Sequence, residues 1–86
     1  MKKITMFMFA SCPYCNKAIG IQQKLLKQEK YSGVEIEMID EKKQPDIANR
    51  YDYFYVPTYY VDGKKLHEGA ADEENVKAVL DAAVEG

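Results

Sequence analysis

The sequence predicts an α/β fold, a four-stranded mixed sheet flanked by three helices in the order β-α-β-α-β-β-α, and three observations carry that prediction. Ile4-Thr5-Met6-Phe7-Met8-Phe9 is a nearly continuous apolar run closed by small residues, the pattern of a strand covered on both faces. Beyond Pro13, the residues Ala18, Ile19, Leu25 and Leu26 recur at helical spacing. Asp62-Gly63 separates two β-prone runs, and Asp-Gly in that position is the strongest short-range signal of a hairpin.

Strand one, Ile4 to Phe9, is expected to be central in the sheet. Ser11 and Cys12 fall in the N-cap region of helix one, and Pro13 suits the first helical position because the N–H it lacks has no partner there. Helix one is expected to run to about Glu29, before Tyr31-Ser32-Gly33 breaks it. Val34-Glu35-Ile36-Glu37-Met38 alternates apolar and charged residues, which predicts a half-exposed strand two at or near a sheet edge. A helix of this length between two strands makes a right-handed parallel crossover. The junction of strand one and helix one therefore falls at the end of the sheet where chemistry gathers in open α/β folds.

Asp40 to Gln44 is polar and turn-like, and Pro45 starts a short helix two, to about Tyr51, with Ile47, Ala48 and Tyr51 as its apolar stripe. Thr58-Tyr59-Tyr60-Val61 and Lys65-Leu66-His67 are the two arms of the antiparallel hairpin. After Gly69-Ala70-Ala71, Asp72 is the N-cap of the terminal helix, with Glu73 and Glu74 in its first turn and Val76, Val79, Leu80 and Ala83 along one face. No repeat, low-complexity stretch or linker interrupts the chain, so residues 1–86 read as one domain.

A chain of 86 residues buries only about two thirds of its unfolded surface, yet it exceeds the size at which a metal or disulfide staple becomes mandatory. A hydrophobic fraction of 47% and a charged fraction of 30% are those of an ordinary globular protein. Twelve basic against fourteen acidic side chains leave a net charge of -2 with no long block of one sign, which argues against a nucleic-acid partner. No apolar run approaches the roughly 18 residues a spanning helix needs, so no membrane partner is expected. Met1-Lys2-Lys3, the stretch Ile4 to Ala10 and Ser11-Cys12 together have the outline of a lipoprotein-type leader. Its apolar core is at the bottom of the usual range and cleavage would remove strand one, so the expectation is a cytoplasmic protein.

Cys12 and Cys15 are the only cysteines. A pair inside one helical turn is unlike the dispersed framework of a secreted mini-protein and points to redox or metal chemistry in a reducing compartment. Residues three apart in a helical turn have β-carbons about 5–6 Å apart, a small adjustment away from disulfide geometry. The loop closed is tiny, so the bond adds little stability and can be made and broken. Cys12 lies where unpaired N–H groups and the helix dipole favour negative charge, which marks it as the attacking thiolate, and Cys15, one turn further in, as the resolving thiol. Pro13 stiffens the turn; Tyr14 either offers a ring and hydroxyl beside the sulfurs or is a plain surface residue. Zinc requires about four ligands and His67 is the one further strong candidate, so no metal site is assigned and His67 reads as a strand or surface residue. Met6, Met8 and the many aromatics read as core filling.

On these residues the chain resembles the thioredoxin superfamily over essentially its whole length, and Cys12-Pro13-Tyr14-Cys15 is similar to the active-site tetrad of dithiol glutaredoxins. The resemblance implies a cis peptide before Pro57, with Pro57 packed against the cysteine pair and Val56 as a backbone contact for substrate. The second half looks as much like thioredoxin: Ile39-Asp40, Pro45, Ala48, Tyr51, Val56-Pro57-Thr58 and Asp62-Gly63-Lys64 follow its path. The chain lacks the Trp that precedes the first cysteine in thioredoxins, and strand one carries no buried acid like theirs. For glutathione or substrate the resemblance implies contacts from Pro13, Tyr14, Tyr55, Val56, Pro57, Gly69, Ala71 and Asp72. Phe9 stands where glutaredoxins have a basic residue, Tyr55 where they have Thr, and Glu68 where they have the first of two glycines. The missing cationic contact costs on the order of 1.5 to 3 kcal/mol, while the amides of Ala71 and Asp72 at a helix start remain to hold a carboxylate.

The function expected is that of a monomeric, glutaredoxin-like thiol-disulfide oxidoreductase acting on protein disulfides or glutathione mixed disulfides, the alternative being a redoxin coupled to a thioredoxin reductase. It has no bound cofactor, and either glutathione, as co-substrate, or a thioredoxin reductase serves as electron donor. The rival class is a binding module in which Cys12 of two chains and two glutathiones hold an iron–sulfur cluster; Pro13 disfavours it, since cluster-binding members of the family generally carry a smaller residue there. A redox-sensing adaptor without turnover is the third reading.

Overall fold

A computed structural model of the protein describes residues 1–85. Its sheet has the order β2-β1-β3-β4, built from β1 (Ile4–Met8), β2 (Ile36–Asp40), β3 (Thr58–Val61) and β4 (Lys64–Glu68). The helices are α1 (Pro13–Leu26), α2 (Pro45–Ala48) and α3 (Glu73–Glu85). β1 is interior as expected, parallel to β2 with Ile4 opposite Ile36, and antiparallel to β3 with Ile4 opposite Val61. β3 and β4 are the predicted hairpin, and Asp62 and Gly63 make its turn with φ of 52° and 85°, the left-handed pair that a two-residue hairpin demands.

Besides one more residue at each end of β4, the element boundaries depart from the sequence reading in four places. α1 stops at Leu26 rather than near Glu29, because Gln28 is extended (φ -74°, ψ 139°) and a separate 3-10 turn, Glu29–Tyr31, swings the Tyr31 ring fully inside. β1 ends one residue early, at Met8. β2 begins at Ile36, two residues late, and its alternation does not hold to the end: Glu35 and Glu37 share a face with buried Ile39, while Met38 is 49% exposed. The face changes character at Ile39 because α2 and the chain beyond it cover that end of the strand; Ile39 packs there with Phe7, Ala48 and Tyr60. α2 spans only Pro45–Ala48, and the chain continues to Tyr51 through the tighter bonds Arg50 N–H to Ile47 O (3.0 Å) and Tyr51 N–H to Ala48 O (3.1 Å).

Two layers of packing result. Between the sheet and the pair α1 and α3 lies an aliphatic core that includes Ile4, Met6, Leu25, Val76, Val79 and Leu80. On the opposite face Phe7, Ile39, Ala48 and Tyr60 form a second cluster, flanked by Tyr51, Tyr53 and Val56. Near the start of β1 the Lys2 N–H donates to Ala83 O at 3.0 Å, which ties the beginning of the chain to the end of α3. Among the described residues no helix is long and apolar enough to cross a membrane.

Candidate active site

Cys12 is the N-cap of α1, with extended backbone (φ -82°, ψ 115°), and its Sγ accepts the N–H of Cys15 at 3.3 Å. The sulfur takes the position that a Ser or Asp oxygen fills at other helix starts, receiving one of the N–H groups that a first turn leaves unpaired. The reversal from β1 into α1 is closed by Cys12 N–H to Phe9 O (3.1 Å) and by the Asn16 side-chain amide to Ala10 O (3.2 Å). Both cysteines are free thiols and both are buried, Cys12 to 4% exposure and Cys15 completely. Burial pushes the Cys15 thiol up to about 12, helped by its hydrogen bond to Cys12 and the field of the Glu41 carboxylate, so Cys15 is neutral at neutral pH.

Because β3 runs antiparallel to β1 with Thr58 opposite Phe7, the start of β3 lies at the same end of the sheet as the cysteines. The Val56–Pro57 peptide there is cis, as the resemblance implied, and Pro57 is buried. β4 ends at the same place: Gly69 N–H donates to Pro57 O at 2.9 Å, with Gly69 at a φ of 94° that only glycine adopts freely. Tyr14 (61% exposed) and Tyr55 (70%) flank this end of the sheet, Pro13 is exposed at the first turn of α1, and Val56 is half-buried.

The last two residues of the expected binding set behave differently. Ala71 is buried in the aliphatic core. Asp72 does cap α3, its Oδ1 accepting Asn75 N–H at 2.9 Å, but its own N–H donates to Asn75 Oδ1 at 3.1 Å. That amide, expected to be open to a carboxylate, is already engaged.

Glu68, expected near the site as an acid in place of a glycine, comes to this end of the molecule together with two groups the sequence reading did not place, Glu41 and Lys42. Glu68 accepts the backbone N–H of Phe54 (2.5 Å) and of Tyr55 (3.0 Å) on Oε2, and the Lys65 ammonium (2.7 Å) on Oε1. Lys65, then the two amides, hold its carboxyl down at about 2. Glu41, just past β2, accepts the Tyr53 hydroxyl at 2.7 Å, and burial with this bond pushes the Tyr53 hydroxyl well up. Lys42 lies with its ammonium 4.3 Å from the centre of the Phe9 ring, on a turn fixed by Asp40 Oδ1 accepting the N–H groups of Lys42 (2.9 Å) and Lys43 (3.3 Å). The signal for Lys42 was in the Asp40-Glu41-Lys42-Lys43 turn; the bonds of Glu68 to amides 13 and 14 residues away had none. Lys42, Tyr51, Tyr53 and Phe54 border a cleft of about 340 Å³ on the α2 side.

A protein family described as "Thioredoxin domain" matches residues 2–81. The chain belongs to the thioredoxin family. Among solved structures it is similar to the oxidised thioredoxin of Plasmodium falciparum, at 15% identity over 96% of this chain and 81% of that one, with a TM-score of 0.74. A mutant thioredoxin from Halobacterium salinarum gives 22% identity, 99% and 76% coverage and a TM-score of 0.73. Oxidised glutaredoxin 2 from Chlamydomonas reinhardtii gives 19%, 98% and 77%, with a TM-score of 0.52. These likenesses confirm the four-stranded mixed sheet with its three helices. No curated protein sequence matches the chain. The spacing of Cys12 and Cys15 fits the CxxC site of a thioredoxin domain, and such a domain with two neighbouring cysteines indicates a thiol redox function.

Proposed function

We propose that the protein is a cytoplasmic thiol-disulfide oxidoreductase acting on protein disulfides, with Cys12 attacking and Cys15 resolving. The observation that carries this reading is the pairing at the start of α1: the Cys12 sulfur receives a backbone N–H, an arrangement that stabilises negative charge there, while Cys15 beneath it is sealed and held as a neutral thiol. The Cys12 sulfur attacks one sulfur of the substrate disulfide, whose S–S bond breaks and whose leaving sulfur takes a proton from solvent. Cys15 then gives up its proton and attacks the Cys12 sulfur; the Cys12–Cys15 bond forms and the second substrate sulfur leaves as a thiol. Two electrons pass to the substrate, and a dithiol donor restores the chain by the reverse exchange.

For the donor, the reading favoured is a thioredoxin reductase. It is supported by the family match, by Phe9 in place of a basic residue and by the engaged Asp72 amide. One observation favours glutathione instead: the Lys42 ammonium over Phe9 returns a cation to the neighbourhood from a different element.

Cys12→Ser is expected to abolish reduction of a model protein disulfide, and retained turnover would refute the assignment. Cys15→Ser is expected to accumulate a mixed disulfide on Cys12, visible by mass spectrometry; a mixed disulfide forming on Cys15 in Cys12→Ser instead reverses the roles. Parallel turnover assays, one with NADPH and thioredoxin reductase and one with NADPH, glutathione reductase and glutathione, decide the donor.

A further inference from the structure

We propose that Glu68 is a positioning residue for substrate, acting by holding the Phe54–Tyr55 backbone that leads into Val56 and Pro57; this rests on the redox reading above. The segment from Asp52 to Val56 is neither helix nor strand, and it leads through Pro57 into Thr58, which lies opposite Phe7 at the end of the sheet where the cysteines follow β1. Tyr53 and Val56 pack against the aromatic cluster and Asp52 O accepts the Tyr60 hydroxyl, but between them Phe54 is 86% and Tyr55 70% exposed, so side-chain packing does little to fix those two residues. A backbone with neither ladder bonds nor burial is free to move unless something else binds its amides.

Glu68 does this from the last position of β4. One oxygen takes two consecutive amides, Phe54 and Tyr55, and the other takes Lys65. The two bonds to one carboxylate oxygen are charge-assisted and fix two successive peptide planes together. The opposite side of the same segment is held at Tyr55 O, which accepts the Thr58 hydroxyl, and Pro57 O accepts Gly69 N–H at 2.9 Å. Residues 54 to 57 are thus clasped between the start of β3 and the end of β4, with the exposed rings of Phe54 and Tyr55 as an aromatic rim on the segment that leads into Pro57. A polypeptide presenting its disulfide to Cys12 meets a preformed rim, so that little ordering entropy is lost on binding.

The experiment compares steady-state reduction of a protein disulfide by wild type, Glu68→Ala, Glu68→Gln and Lys65→Met, with amide hydrogen exchange at Phe54 and Tyr55. Glu68→Ala is expected to raise KM about tenfold with kcat reduced less than twofold, and to remove the protection of those two amides. Glu68→Gln keeps a side-chain oxygen with two lone pairs and is expected to restore KM to within about threefold of wild type. Lys65→Met removes the other partner of Glu68 and a bond to Asp52 O, and is expected to fall between wild type and Glu68→Ala in both readouts. The inference is overturned if Glu68→Ala leaves KM within twofold, if the two amides stay protected, or if the losses follow global stability and appear in kcat and KM alike. Wild type failing to reduce any disulfide would overturn the redox reading itself, and the inference with it, a result distinct from an active wild type that Glu68→Ala matches.

Discussion

The two faces of the sheet are built from different materials. Under α1 and α3 the core is mostly aliphatic, and two helices of 14 and 13 residues close it off. On the other face a helix of four residues covers an aromatic cluster in which the Phe7 ring lies 4.6 Å from Tyr51, 4.9 Å from Tyr53 in a stacked arrangement, and 5.8 Å from Tyr60 edge-on. So short a cover leaves Tyr51 and Tyr53 half-exposed, and the hydroxyls turn outward to surface acceptors, Tyr60 to Asp52 O and Tyr53 to Glu41, each at 2.7 Å. The aliphatic side also contains hydroxyls, but that of Tyr59 meets a partner that is itself buried, Gln22 Oε1 at 2.7 Å. The closed face supplies stability and the burial that keeps Cys15 protonated. The thinly covered face carries the loops bearing Lys42, Phe54 and Tyr55, and amphipathic rings let those loops be anchored without being sealed.

Substitutions test this division directly. Leu80→Ala, in the closed core, is expected to cost about 2–5 kcal/mol in a denaturant titration of the reduced protein, because two helices and a sheet collapse poorly around a void. A loss below about 1 kcal/mol would show that this face is no more tightly packed than the other. The next effect is one of pH. Cys15 is raised in the fold to about 12 from an ordinary value of 9.0, so the native state retains a proton that the unfolded chain releases. Its contribution to the stability of the reduced form is therefore whole below about pH 9 and is lost as the pH climbs toward 12. Urea midpoints across that range are expected to fall for wild type and to stay flatter for Cys15→Ala. Tyr59→Phe strands the Gln22 carbonyl oxygen among apolar groups and is expected to cost about 1–3 kcal/mol. Tyr53→Phe leaves Glu41 within reach of water and is expected to cost only about 0.5–1.5 kcal/mol. If those last two were equal, the contrast between a dry and a wet face would fail.

The parts of this arrangement legible in the sequence were those written in local signals. Pro13 after Cys12, the apolar run before it and the Asp-Gly turn each act over a few residues, and they placed the cysteines at a helix start beside the middle of the sheet. The cis peptide before Pro57 came from family resemblance, since nothing local distinguishes that bond from a trans one. The end of α1 was misplaced because Gln28, Glu29 and Lys30 are all good helix formers; burial of Tyr31 against the aliphatic core overrode that preference. β2 was misjudged at Met38 because alternation says which residues share a face but not where a neighbouring element begins to cover it. Glu68 was read as an acid in place of a glycine, and its bonds to Phe54 and Tyr55 depend on how the hairpin folds back, which no pattern in the chain records.

The Lys2–Ala83 bond brings the residue before β1 and the last turn of α3 together beside the start of β1, while the cysteines follow the end of that strand. The strand thus stands between attachment point and reactive sulfur. A folded unit, a surface or an electrode joined at either terminus would hang from the far pole and leave the approach to Cys12 clear. This geometry makes the domain a module that can be tethered without being blocked.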